Sequence, residues 1–327
     1  MRLTHIIVSL LACLFCTTAA AEPGIGITSV DMQGDYAVPL MVWYPGTVAS
    51  ETWQAGPYAI HATRNAPLAP GRHPLVLISH GSGGGEFGHA DLAEKLAQNG
   101  YIVITLRHLG DSFDHPEGRG SDVQLYGRPW QAKTALDAVL ASPAFKDAVD
   151  ETRIGMAGFS AGGYTTLVMA GARPDFTVYK AYCRAHPDDR DPCPDGADST
   201  LRITKPGWQM PEEHRIRAAV VMAPFSIPFD ANAVSGVRIA LMVFKAEGDR
   251  VLRNTANADH LLALLPPSTE HGVLPGGHYV FLNTCGDTLR KEAPEICLDP
   301  PGVDRAALHV QLDADILDFF NRKLTRK

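Results

Sequence analysis

Blocks of apolar residues alternate with helix-spaced and polar segments along most of this chain. Ile25 to Asp31 and Val38 to Tyr44 are extended runs around Gly34-Asp35, which predicts an antiparallel hairpin. Pro45 to His73 is rich in Pro, Gly and Ala and reads as a long surface loop. Pro74 to Ser79 is a continuous apolar run, the pattern of a strand buried on both faces. Asp91 to Asn99 carries Leu92 and Leu96 at helical spacing and ends on Asn99-Gly100, a helix stop. Tyr101 to Leu106 is the next strand, and Pro129 opens a helix through Leu136, Val139 and Leu140. Strands follow at Arg153 to Gly158, Ala218 to Met222 and Ile239 to Phe244, with a last one in or near Gly272 to Leu274. Gly163 to Ala170 and Asn254 to Leu265 read as helices. Arg305 to Lys323 closes the chain as an amphipathic helix with Leu308, Leu312, Ile316 and Phe319 on one face. This alternation predicts a mostly parallel sheet covered by helices on both faces, an α/β fold.

Two segments break the rhythm. Residues 1–21 carry Arg2, an apolar run from Ile6 to Phe15 and the small residues Thr18 to Ala21, the pattern of a secretory signal peptide. Leu10 to Cys13 loosely resembles a lipoprotein cleavage site, but Leu11 fits it poorly, so lipidation at Cys13 is the lesser expectation. The second is a polar excursion within about 172–215, centred on Arg184 to Asp195. It reads either as a cap over the sheet's carboxyl edge or as a solvated loop. The expected organisation is therefore a signal peptide at 1–21 and one α/β domain over 22–327 with a cap-like insertion.

Composition narrows the partners. With Arg2 gone in the leader, 28 basic residues face 36 acidic ones, a formal charge of −8. No basic patch is interleaved with aromatics, so nucleic acid is not an expected partner, and no mature segment is apolar enough for stable membrane insertion. Of six cysteines, Cys13 and Cys16 belong to the leader. The remaining four allow three disulfide connectivities in an exported protein, of which the neighbouring pairs Cys183–Cys193 and Cys285–Cys297 are favoured. No C-x₂-C spacing supports a four-thiolate metal site.

The chemistry centres on Gly158-Phe159-Ser160-Ala161-Gly162 between a strand and a helix. G-x-S-x-G in that context is a nucleophile elbow, a strained turn that presents the serine hydroxyl. A serine needs a base, and imidazole suits neutral pH. In a doubly wound sheet the loops after the strands gather at one edge, and the partners follow in the order Ser, acid, His. His278, in the glycine turn after the last strand, is the expected base; His271 lies too early. Asp249, after the strand ending at Phe244, is the expected acid, with Glu247 as fallback. The oxyanion would be held by the backbone N–H of Ala161 and that of Ser82, in the glycine-rich loop from His80 to Gly85. His80 reads as structural. His80, Glu86, His89 and Asp91 could be imagined as metal ligands, but the glycines between them serve the loop better, so no metal is expected. Arg107 to Asp111, after another strand, reads either as pocket lining or as loop bracing.

With these residues assembled, the chain resembles the α/β-hydrolase superfamily, and within it the secreted dienelactone-hydrolase-like group related to platelet-activating-factor acetylhydrolases. The resemblance rests on Val42-Trp43-Tyr44-Pro45, Ile78 to Gly83, Gly127-Arg128-Pro129, Asp150 to Gly163, Ala246 to Val251 and Gly276 to Leu282. Cys285, Ile296-Cys297 and Asp304 to His309 add to it. It implies an eight-stranded hydrolase sheet and carboxylic-ester hydrolysis without a cofactor. Dienelactone hydrolases proper use a cysteine where this chain has Ser160. The acetylhydrolases place their acid after the strand following the nucleophile, where this chain has Ala223-Pro224, and Phe159 replaces the histidine often found before the serine. The expected substrate is a small ester or lactone, and the short side chains around the elbow suggest a small acyl group. The alternatives are a lipase, phospholipase or acyltransferase acting on lipid esters, and a non-catalytic binding module. The charged excursion at Arg184 to Asp195 speaks against the first and the complete triad against the second.

Overall fold

The computed structural model describes residues 24–325, so the expected signal peptide and Cys13 lie outside the described residues. The strands are β1 Gly24–Ser29, β2 Leu40–Gly46, β3 Thr52–Ala55, β4 Tyr58–His61, β5 Thr63–Arg64, β6 His73–Ser79, β7 Ile102–Leu106, β8 Val149–Phe159, β9 Ile216–Met222, β10 Ala240–Ala246 and β11 Glu270–Leu274. The helices are α1 Ala90–Gln98, α2 Asp122–Leu125, α3 Gly127–Ala141, α4 Ala161–Met169, α5 Phe176–Ala185, α6 Ala258–Leu264, α7 Asp287–Glu292, α8 Pro294–Cys297 and α9 Arg305–Lys323. The main sheet runs β11-β10-β9-β8-β6-β7-β2-β1-β5. It is parallel from β11 to β7, with β2 and β1 joined antiparallel. The eight expected strands are all present; the two-residue β5 adds a ninth at the edge, parallel to β1.

The period-2 alternation of β6 divides the core. Val76 and Ile78 face a cluster with α1 and α9, while Leu75 and Leu77 face α3 through Ala132, Leu136 and Val139. Farther along, Val221 and Val243 pack under α4 and α6. Helices thus cover both faces. α9 approaches β8 closely, where a Cβ at Gly155 would lie 2.6 Å from the Phe320 ring.

Chain order places the site. From β6 the chain goes to β7 on one side and then returns to β8 on the other, so β6 and β8 flank a topological switch point. Ligands of open α/β sheets bind outside the carboxyl ends of strands at such a point. Ser160 follows β8 directly, and the glycine loop follows β6.

Two sequence expectations are corrected. Residues 45–73 are not merely a loop: β3 and β4 pair as a hairpin with Trp53 opposite Ile60. The alternation is there in Trp53, Ala55, Tyr58 and Ile60, hidden by the surrounding Pro, Gly and Ala, and Gly56 makes the tight turn at φ 56°. The helix expected over Asn254 to Leu265 is broken: a 3₁₀ turn at Asn254–Ala256 precedes α6. Both favoured disulfides are formed, Cys183–Cys193 and Cys285–Cys297. Among the described residues no helix is long and apolar enough to cross a membrane.

Candidate active site

Ser160 sits between β8 and α4 at φ 55°, ψ −116°, a backbone region that a side chain rarely occupies. The turn is pinned on both sides. Ser160 N donates to Met222 O at 2.9 Å, and Ser160 O accepts from Tyr164 N and Phe225 N, both at 3.1 Å. The flanking glycines are needed because strand β8, helix α4 and the end of β6 touch through bare backbone. A Cβ at Gly158 would lie 2.1 Å from Gly162 O, and one at Gly162 would lie 1.9 Å from Ser79 O.

The other two expected triad side chains arrive at this hydroxyl. His278 Nε2 is 3.0 Å from Ser160 Oγ, and His278 Nδ1 is 2.7 Å from Asp249 Oδ2. His278 and Asp249 are both buried, whereas Ser160 is half-exposed. Asp249 Oδ1 accepts from the backbone N–H groups of Val251 and Leu252, at 3.0 and 2.8 Å, leaving Oδ2 for the imidazole. Glu247, the fallback acid, is exposed, and His271 lies on β11 facing solvent.

Ala161 is the first residue of α4, so its N–H has no partner within the helix. The Ser82 N–H has no backbone acceptor among the described residues. Gly81 brings this loop against Ser160, since a Cβ there would be 3.3 Å from the Ser160 Cβ.

Behind the loop lies a buried polar layer that carries out the loop bracing considered for Arg107 to Asp111, joined by Arg128. Ser82 Oγ donates to Asp111 Oδ1 at 2.5 Å, and Asp111 Oδ2 accepts from the fully buried Arg128 at 2.7 Å. Arg128 also donates to Thr165 Oγ1, Ser79 Oγ and His80 O. Burial, reinforced by the Arg128 charge, drives the His80 and His108 pKa values well below the ordinary imidazole value, so both rings are neutral. His80 Nε2 accepts from the His108 N–H at 3.0 Å, which leaves the proton on Nδ1, donated to Gly81 O at 2.6 Å. His80 is thus tied into the loop, and His108 and Asp111 are its braces. The available signal was the Arg107 to Asp111 cluster; nothing in the sequence paired it with Arg128.

A cavity of about 860 Å³ opens beside Ser160, lined by Gly81, Ser82, Phe159 and Tyr279 on that side. Its far walls come from the β3–β4 hairpin and the loop closed by Cys285–Cys297, neither foreseen as part of a site. No residue of 172–215 lines it. That insertion instead leans on the acid loop, where Arg253 pairs with Asp188 and Asp189, each at 3.1 Å. Three of the four imagined metal ligands are otherwise engaged: Glu86 binds Arg107, Asp91 binds His309, and His80 braces its loop, while His89 is buried against Phe159. No group of three or more such residues could hold a metal among the described residues.

With this geometry in view, comparison with solved structures bears on the architecture. The ferulic acid esterase from Streptomyces cinnamoneus aligns at a TM-score of 0.60 and 20% identity, covering 94% of this chain and 91% of that one. The fold is that of the α/β-hydrolases. No protein-family model matches the chain. Over 111 residues it is 34% identical to cutinase 2 of Thermobifida cellulosilytica and to the cutinase cut1 of Thermobifida fusca. The match covers 33% of this chain, and 38% and 32% of those proteins, so it spans about a third of the relatives' length.

Proposed function

We propose that this protein is an exported serine hydrolase that cleaves carboxylic esters of small molecules through an acyl-enzyme. Ser160 attacks the ester carbonyl while His278 takes its proton; Asp249 holds His278 in the tautomer whose Nε2 accepts. The N–H groups of Ala161 and Ser82 bind the developing oxyanion. His278 returns the proton to the leaving alcohol, then activates water to release the acid. The observation that carries this reading is the unbroken relay from Ser160 Oγ through His278 to Asp249, at 3.0 and 2.7 Å, on a strained elbow. The cutinase matches support an ester as the substrate, and the two disulfides fit an oxidising compartment, periplasmic or extracellular.

The same reading takes residues 1–21 as a cleaved leader and 22–327 as a single domain with its insertion at about 172–215. It assigns the chain to the dienelactone-hydrolase-like group within the superfamily. The test is labelling with a fluorophosphonate probe alongside hydrolysis of a panel of nitrophenyl esters, with Ser160→Ala as control. Wild type should label and turn over; the variant should do neither. Equal labelling and turnover by both proteins would refute the proposal.

A further inference from the structure

The large cavity beside Ser160 has a chemistry of its own. Its volume, about 860 Å³, lies near the top of the roughly 300–1,000 Å³ typical of sites for drug-sized ligands, far more than an acetyl group needs. The small residues Ala161, Gly162 and Gly163 lie buried in α4 and are not among its lining residues, so they do not set its size.

The wall is hydrocarbon held rigidly. Trp53 of β3 donates its Nε1 proton to Ala62 O at 2.9 Å, meets Phe87 edge-on at 6.1 Å between centroids, and carries the Arg64 guanidinium 3.8 Å from its ring centre. Opposite stand Leu289, Ala293 and Ile296, all within the segment that Cys285–Cys297 closes. This segment is fixed to the rest of the wall. Asn283 Nδ2 donates to Phe87 O at 2.9 Å, and a Cβ at Gly286 would lie 3.1 Å from Pro57 O at the hairpin turn. The deepest charge, Glu86, is neutralised by the two-pronged contact of Arg107 at 2.8 and 2.7 Å. Half-exposed Trp53, Tyr58, Leu289 and Ile296 thus give this space a largely apolar wall; of its other charges, Arg64 lies over the Trp53 ring and Glu292 is exposed to solvent. That space begins at Gly81 and Ser82, where the carbonyl would be held.

We propose that this cavity takes the hydrocarbon part of the ester, an alkyl chain or aryl ring of six or more carbons. Its size and selectivity are set by the β3–β4 hairpin and the disulfide-closed segment, and the inference rests on the ester-hydrolase reading above. The hydrocarbon enters from the acyl or the alcohol side of the ester, a choice the substrates decide.

Two ester series test it: nitrophenyl esters from acetate to octanoate, and acetates from methyl to octyl and naphthyl alcohols. A buried methylene is worth about fourfold, so octanoate should exceed acetate by about 100-fold in kcat/KM even after ordering costs. A rise confined to one series identifies the side that enters. Ile296→Asp should collapse the long-to-short ratio by at least tenfold. Ala293→Trp, which fills the space instead of charging it, should do the same and guards against a folding defect in the first variant. Flat series with acetate still turned over, or both variants keeping the wild-type ratio, would overturn the proposal. Absence of any turnover or Ser160 labelling would sink the hydrolase reading instead. In that event calorimetric titration with 1-octanol decides the cavity separately: binding with a negative heat-capacity change supports it, and none refutes it.

Discussion

Asp249→Asn separates geometry from charge at this site. Asparagine keeps the Oδ1 acceptor, so the bonds from Val251 N at 3.0 Å and Leu252 N at 2.8 Å persist and the loop holds its shape. What changes is the atom facing His278 Nδ1, now 2.7 Å from a carboxylate oxygen. An amide NH₂ there is a donor, which forces Nδ1 to accept and puts the ring proton on Nε2. Nε2, 3.0 Å from Ser160 Oγ, then cannot accept the hydroxyl proton. A triad frozen in the wrong tautomer loses about 10⁴-fold in kcat, or about 5 kcal/mol of transition-state stabilisation. The assay is kcat for nitrophenyl acetate with a thermal melt on the same samples. The Asn variant should melt within a few degrees of wild type and lose nearly all turnover. Glu247→Gln, at an exposed position, should change little. An Asn variant within tenfold of wild-type kcat would refute the reasoning, and collapse of Glu247→Gln in its place would name a different acid.

Three further outcomes follow from the packing and the charges. Gly162→Ala drives a Cβ to 1.9 Å from Ser79 O, backbone that has no rotamer to yield, and should cost about 3 kcal/mol or more, read as a lowered Tm and lost activity. Arg128→Met removes the buried guanidinium from Asp111, leaving it Arg119 at 3.4 Å and Gln124 at 2.9 Å, and should cost about 3 kcal/mol in chemical denaturation, the low end for a broken buried pair. Adding Asp111→Leu should restore most of the stability but not kcat, because Ser82 Oγ has then lost its anchor. Stability should also fall as pH rises. Burial, with the Asp91 charge, pushes Asp313 up to about 8, so what it contributes is full below the ordinary carboxyl value near 3.8 and lost as pH climbs through about 8. Burial opposes the charge on His309, but its bond to Asp91 outweighs this and raises the pKa, so its contribution is full below about 6.5 and lost above. Melts between pH 5 and 9 should show the decline, and Asp313→Asn should flatten it; an unchanged slope in the variant would contradict the assignment.

What was legible in the sequence was whatever depends on neighbours in the chain. The G-x-S-x-G turn, the buried run of β6 and the glycine turn before His278 each carry their signal within a few residues. The order of strands then brings their ends to one edge. The hairpin at β3–β4 escaped because its alternation is only four residues deep on each side and sits in a Pro- and Gly-rich context. The cavity escaped for a different reason. Its walls lie more than 220 residues apart, at Trp53 and Leu289, and no local pattern says that they face each other. Asp91–His309 and Asp111–Arg128 are likewise pairs made by the fold, and nothing in either segment names its distant partner.

The buried layer behind the glycine loop after β6 explains why such pairs are tolerated. A fully buried arginine and aspartate are costly to desolvate, and hydrophobic residues of the same volume commonly serve stability as well or better. Here the pair joins parts that a greasy contact would leave free to slide. Arg128 on α3 grips His80 O on the loop after β6 and Thr165 on α4, while Asp111 after β7 holds the Ser82 hydroxyl. Hydrogen bonds have direction, so these contacts set the angle at which the loop presents its backbone. An oxyanion donor is useful only when aimed within a few tenths of an ångström of where charge develops. The network therefore relates the Ser82 N–H to Ser160 through α4, the helix whose first residue carries the other N–H proposed to bind the oxyanion. Repacking the layer with Met and Leu removes that register while keeping the core filled, which is why stability and turnover should part company in the double variant.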